Sequence, residues 1–192
     1  NGIIDSTFNA YDTAYAYARR FVIQPDGKII VALSTVEHLK LIRLNTDGTR
    51  DASYTADPTS FNMSYYPFPQ AMAIQADGKV IISGNGFQGN FQDIAFLKRI
   101  NTNGTEDTSF DPLNPEGAGG IYSLSIQTDG KIIIAGHKER DSGVEHTNAQ
   151  YIARLNADGT IDESFLHTNK YYSGAYSVYT TTLFPNGKIL AA

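Results

Sequence analysis

The 192-residue chain is 41% hydrophobic, 11% aromatic and 18% charged, an ordinary globular composition that excludes a disordered polar tract. A formal charge of -5 leaves no basic footprint for nucleic acid, and the absence of cysteine removes disulfides, thiolate metal sites and cysteine nucleophiles. No apolar run approaches the ~18 residues of a membrane span and no signal peptide is read ahead of Asn1, so membrane insertion is not expected.

Three phrases recur in fixed order along the chain. The first is Gln24-Pro-Asp-Gly27-Lys28, then Gln75-Ala-Asp-Gly78-Lys79, Gln127-Thr-Asp-Gly130-Lys131 and a weaker Pro185-Asn-Gly187-Lys188. Apolar runs follow it, such as Ile29–Ala32 and Ile132–Ala135. The second phrase is Leu41-Ile-Arg43-Leu-Asn45, Leu97-Lys-Arg99-Ile-Asn101 and Ile152-Ala-Arg154-Leu-Asn156. The third begins at Asp47-Gly48, Asn103-Gly104 and Asp158-Gly159, and ends in Asp51-Ala-Ser-Tyr54, Asp107-Thr-Ser-Phe110 and Asp162-Glu-Ser-Phe165. A further copy of its last part opens the chain at residues 1–8.

Both Gly-containing phrases have the form of a three-residue hairpin loop: a type I turn closed by a residue at positive φ, which Gly adopts without a Cβ clash. This register sets Arg43 opposite Asp51, Arg99 opposite Asp107 and Arg154 opposite Asp162, so each pair is expected as an ion-pair clip across the ladder. Runs that are apolar on both faces predict strands covered on both sides, and no stretch has a helical period. Each unit then has four strands: one ending at Gln, one starting at Lys, one ending at Asn, and a short one carrying Asp-x-Ser-Phe. Four strands in about 50 to 56 residues predict an all-β fold, a β-propeller of four-stranded blades. The unit boundaries read as 1–8, 9–54, 55–110, 111–165 and 166–192.

On these residues the chain resembles the delta-60 repeat family, a β-propeller repeat of unknown function. The pattern Q-x-D-G-K followed by an apolar run, and then R-[LI]-N-x-[DN]-G with D-x-S-[FY], recurs in three units. Departures are local: Leu33 stands where Gly is expected, Tyr54 replaces Phe, and Asn186 replaces Asp. The resemblance implies repeats within large bacterial, secreted or surface-exposed proteins, and it transfers no catalytic residues. About three and a half repeats are present, too few to close a ring. The expectation is an incomplete ring, finished by the remaining blades of a longer chain or by a second copy.

Candidate chemistry is sparse. Asn45-x-Asp47-Gly48-x-x-Asp51 superficially resembles a calcium loop, but its Gly comes too early and no distal Glu follows, so no metal or cofactor is expected. His38, His137, His146 and His167 form no metal-ligand spacing. The charged 137–146 segment, with Ser142 and Glu145, reads as a loop tip rather than a catalytic centre. A sialidase-like site would need Trp-ending Asp boxes, and Trp is absent. The sequons at Asn62 and Asn103 are weak signals.

The segments joining one blade to the next are rich in tyrosine, which offers a flat apolar ring with a polar tip suited to recognising protein or glycan surfaces. Tyr65, Tyr66, Tyr171, Tyr172 and Tyr176 are the candidate binding residues. The alternative is that these rings cap the core between blades. The expected function is a non-enzymatic scaffold or binding module of a bacterial secreted or cell-surface protein. Two alternatives stand beside it: a component of a phage, filament or secretion assembly, and part of a propeller enzyme whose site lies in other blades.

Overall fold

A computed structural model describes residues 7–8, 17–34, 38–55, 67–88, 92–110, 112, 118–138, 149–165 and 177–192. The first sheet is β1(Tyr17–Ile23), β2(Ile29–Ser34) and β3(Leu39–Leu44). The second is β4(Phe68–Ile74), β5(Val80–Gln88) and β6(Gln92–Ile100), and the third is β7(Ala118–Ile126), β8(Ile132–Lys138) and β9(Ala149–Leu155). A hairpin of β10(Thr181–Leu183) and β11(Ile189–Ala191) begins a fourth. Every pairing is antiparallel and the described residues contain no helix.

The hairpin loops set this register. Gln24 N–H donates to Lys28 O at 2.8 Å and Gly27 N–H returns to Gln24 O at 2.9 Å, enclosing three loop residues. The same pair of bonds joins Asn45 with Thr49 and Gly48. Gly27, Gly48, Gly78, Gly104, Gly130, Gly159 and Gly187 all have φ between 78° and 100°, the region a Cβ disfavours. Asp26 and Asp47 accept from the backbone N–H two residues ahead, which fixes the turn from within.

The middle strands are covered on both faces. Ile30 and Ala32 of β2 point toward the second sheet and join Val80, Ile82 and Phe96 in one core. Leu33 of the same strand packs on the opposite side with Ile42 and Leu44. Across the next gap, Ile81 and Leu97 meet Ile132, Ile134 and Leu155. The two larger cores are therefore made between consecutive sheets, and burying one such Ile or Leu contributes about 1.5–3 kcal/mol.

The expected fourth strand is not a strand among the described residues. Its place is taken by single bridges, Leu44 with Arg50, Ile100 with Glu106 and Leu155 with Ile161, so the sheets are three-stranded. After each bridge the Asp side chain accepts from the Ser two residues on, and the following aromatic N–H bonds back to the Asp carbonyl, as in Phe110 to Asp107 at 3.1 Å. The backbone groups a strand would have used are spent in that turn.

The first strand of each unit contains a bulge at the same position. Arg19, Gln70 and Tyr122 are skipped in the pairing of β1, β4 and β7. In the fourth unit Tyr179 and Thr180 both donate to Ala192 O, at 2.9 and 3.1 Å, a bulge of the same form. All four residues stand four places before the strand's last residue, which is Ile23, Ile74, Ile126 or Leu183.

Candidate functional site

Two constellations recur from unit to unit, one built of identical residues and one of different residues. The first surrounds the Asp of Asp-x-Ser. In the second unit Arg99 Nε donates to Asp107 Oδ2 at 2.9 Å, Lys79 Nζ reaches the same oxygen at 2.7 Å, and Ser109 Oγ donates to Oδ1 at 2.6 Å. Arg43 Nε and Lys28 Nζ meet Asp51 Oδ2 at 2.9 and 2.7 Å. Arg154 Nε and Lys131 Nζ each meet Asp162 Oδ2 at 2.7 Å. The lysine's part in this node was missed in the sequence, although its recurrence after each Asp-Gly was the available signal.

The aromatic that closes each repeat lies under the guanidinium. Arg43, Arg99 and Arg154 sit 4.7–4.8 Å from the ring centres of Tyr54, Phe110 and Phe165. The same arginines also reach the next unit: Arg43 Nη1 donates to Thr102 O at 3.0 Å and Arg99 Nη1 to Ala157 O at 2.7 Å. Thr102 and Ala157 occupy the same loop position in successive units, so the node ties one sheet to the next.

This inter-sheet bond distinguishes Arg from Lys. Arg99→Lys keeps a cation beside Asp107 but loses the Ala157 carbonyl and the planar stack on Phe110, and is expected to destabilise by about 1–2 kcal/mol in urea unfolding. Arg154→Lys should cost less, because Arg154 reaches no carbonyl of a further unit among the described residues. Equal losses would contradict the inter-sheet role.

Hydrogen bonds from lysine first, and then from serine, hold the Asp51, Asp107 and Asp162 carboxyls well below the ordinary value of 3.8, while burial works the other way. A folded-state pKa below the unfolded one adds stability that is complete above about pH 4 and is lost as pH falls toward the folded values. The melting midpoint, followed by circular dichroism, should therefore fall continuously below about pH 4. Asp107→Asn should shallow that fall, and a midpoint unchanged down to about pH 2 would refute the linkage.

A beta-propeller family, described as "Domain of unknown function (DUF5122) beta-propeller", matches residues 24–54, 75–110 and 127–165, more than half of the chain. The chain belongs to this family. It is the delta-60 repeat type, so the chain is an all-β, β-propeller domain of unknown function. Each matched stretch of the DUF5122 repeat starts at the turn glutamine and ends at the aromatic beneath the arginine, as Gln75 and Phe110 do in the second. The node thus lies wholly inside the repeat. No curated protein matches the chain.

The second constellation lies outside those stretches, at the bulges. Arg19 is exposed, with its guanidinium 5.3 Å from the Tyr17 ring centre and 5.2 Å from that of Phe68. Arg20 beside it donates to the carbonyl of Gln70, which links the first and second bulges. Tyr122 stacks on Tyr179 at 5.3 Å and 12°, and on His137 at 5.3 Å and 24°, which links the third and fourth units. His137 is only 3% exposed and serves as the buried end of this stack, not as part of a loop tip.

Tyr65, Tyr66, Tyr171, Tyr172 and Tyr176 lie outside the described residues, as do His146 and His167. Among the described residues no three His, Asp or Glu side chains gather in a metal-binding arrangement.

Proposed function

We propose that this chain is a non-enzymatic β-propeller scaffold whose variable face binds protein or glycan, within a bacterial secreted or cell-surface protein. The observation that carries this reading is a division of labour between residues. The repeated Lys, Arg, Asp and Ser side chains are engaged with one another and with the next unit, while in the sequence the residues that differ between units fall in the first strands and the segments joining units. A scaffold built by repetition and a surface built by variation is the usual economy of repeat binding proteins.

Four-stranded blades and an incomplete ring belong to the same proposal. Phe21 and Ile23 in the first unit are 65% and 62% exposed, and Phe184 and Leu190 in the last are 47% and 56% exposed. These apolar side chains fit the faces on which further blades pack, in a longer chain or in a second copy. Light scattering tests the second-copy version: a strict monomer of 21.0 kDa at high concentration would exclude it.

Binding is tested on glycan and protein arrays. Replacing Tyr65, Tyr66, Tyr171, Tyr172 and Tyr176 by Ser should abolish capture of any ligand found while leaving the melting midpoint in place. Undiminished capture would remove the tyrosine-rich segments from the binding face.

A further inference from the structure

We propose that the four bulge residues form a binding strip for an acidic polysaccharide, with Arg19 taking a carboxylate and Tyr179 stacking on a sugar ring. The proposal rests on the binding-module reading above and names the site and ligand class. A bulge adds one residue to a strand and re-aims its side chain, and such features recur beside functional sites. Here the same extra residue appears in four consecutive units, and its chemistry is Arg, Gln, Tyr and Tyr.

The two ends of the strip are prepared for different parts of one ligand. The Arg19 guanidinium lies over the rings of Tyr17 and Phe68, and its N–H groups meet no acceptor among the described residues. A planar guanidinium backed by aromatic rings and not engaged by a carboxylate of the chain matches the two oxygens of a ligand carboxylate. At the other end Tyr179 is 68% exposed, with its ring supported by Tyr122. A supported ring with free surface suits the apolar face of a pyranose, and its hydroxyl can bond the sugar's oxygens.

Length and charge narrow the class. Arg19 and Tyr179 stand in the first and fourth of four consecutive units whose first strands pack side by side, so one ligand meeting both must be longer than a single sugar. The chain holds 20 acidic residues, but β1, β4, β7 and β10 contain none, so the local field at the strip is not that of the whole molecule. A peptide added as a further strand is disfavoured, because a bulge in each first strand twists its edge away from such pairing. Side chains, not backbone, are what this edge presents.

Affinity electrophoresis of the intact chain in gels containing polygalacturonate, alginate or hyaluronate tests the proposal, with fully methyl-esterified polygalacturonate and polyglutamate as controls. Retardation by at least one of the acidic polysaccharides is expected. For polygalacturonate, esterification should weaken binding about tenfold or more, the scale of one lost charge-assisted contact. Arg19→Gln should weaken it about tenfold at an unchanged melting midpoint, and Tyr179→Ala by a similar factor with the chain still folded by circular dichroism. Wild-type retardation of Arg19→Gln, equal affinity for polyglutamate, or no retardation by any acidic polysaccharide would overturn the strip. Capture of a neutral glycan or a protein through the tyrosine-rich segments would then leave the binding-module reading standing, whereas capture of nothing on either array would remove both.

Discussion

Gly136→Ala is expected to destabilise the protein by about 3 kcal/mol, the upper part of the range for overpacking. A Cβ at this position would stand 1.9 Å from Gly120 O and 2.9 Å from Gly120 C, both backbone atoms of the adjacent first strand. A clashing side chain turns away by changing rotamer, but a strand carbonyl moves only with its strand. Relief would pull β7 off β8 beside the Tyr122 bulge and disturb the ring stack with Tyr179. Gly84 has the same relation to Phe68 O, at 2.0 Å, so Gly84→Ala should behave alike.

Gly130→Ala is the matched control. Its φ of 85° makes a side chain costly by roughly 1–2 kcal/mol, but the nearest atom to a new Cβ is 3.6 Å away. Urea unfolding should therefore rank Gly136→Ala as clearly the more damaging, and the reverse order would show that strand crowding is not what selects glycine at 136. The first unit carries Leu33 at this place, buried to 2% against Ile42 and Leu44, so the restriction belongs to the second and third units.

The part of the fold most legible in the sequence was set by turn chemistry. A three-residue loop fixes register, and register places Arg99 and Asp107 together without further information. The bulges carried no such mark. Phe68-Pro-Gln-Ala-Met-Ala-Ile is apolar on both faces, so one extra residue leaves no break in alternation to read. Among the described residues the fourth strand amounts to a single bridge, because the Asp107 carboxylate accepts from Ser109 and turns the chain there. Of the candidate binding residues, tyrosine enrichment pointed to segments outside the described residues, while Arg19 and Tyr179 acquire meaning only from what they stack upon.

Asp107→Ala is the second large effect, expected at about 3 kcal/mol by urea unfolding. Asp107 has an 8% exposed surface and accepts four hydrogen bonds, from Lys79, Arg99 and both donors of Ser109. Removing it leaves two cations facing each other without their shared anion. Lys79 depresses the Asp107 carboxyl most, but its side chain is 30% exposed and water screens what it loses. Arg99 is 10% exposed and lies against Phe110, so its stranded charge carries most of the penalty. Its bond to Ala157 O would weaken with it, which loosens the contact between the second and third sheets. Asp107→Asn keeps the shape and one acceptor oxygen and should lose less. Replacing Lys79 and Arg99 by Met together with Asp107 by Leu removes every stranded charge and should recover part of the loss. A loss within about 0.5 kcal/mol for Asp107→Ala would mean that the node is a solvated surface pair, and that the apolar cores alone hold consecutive sheets together.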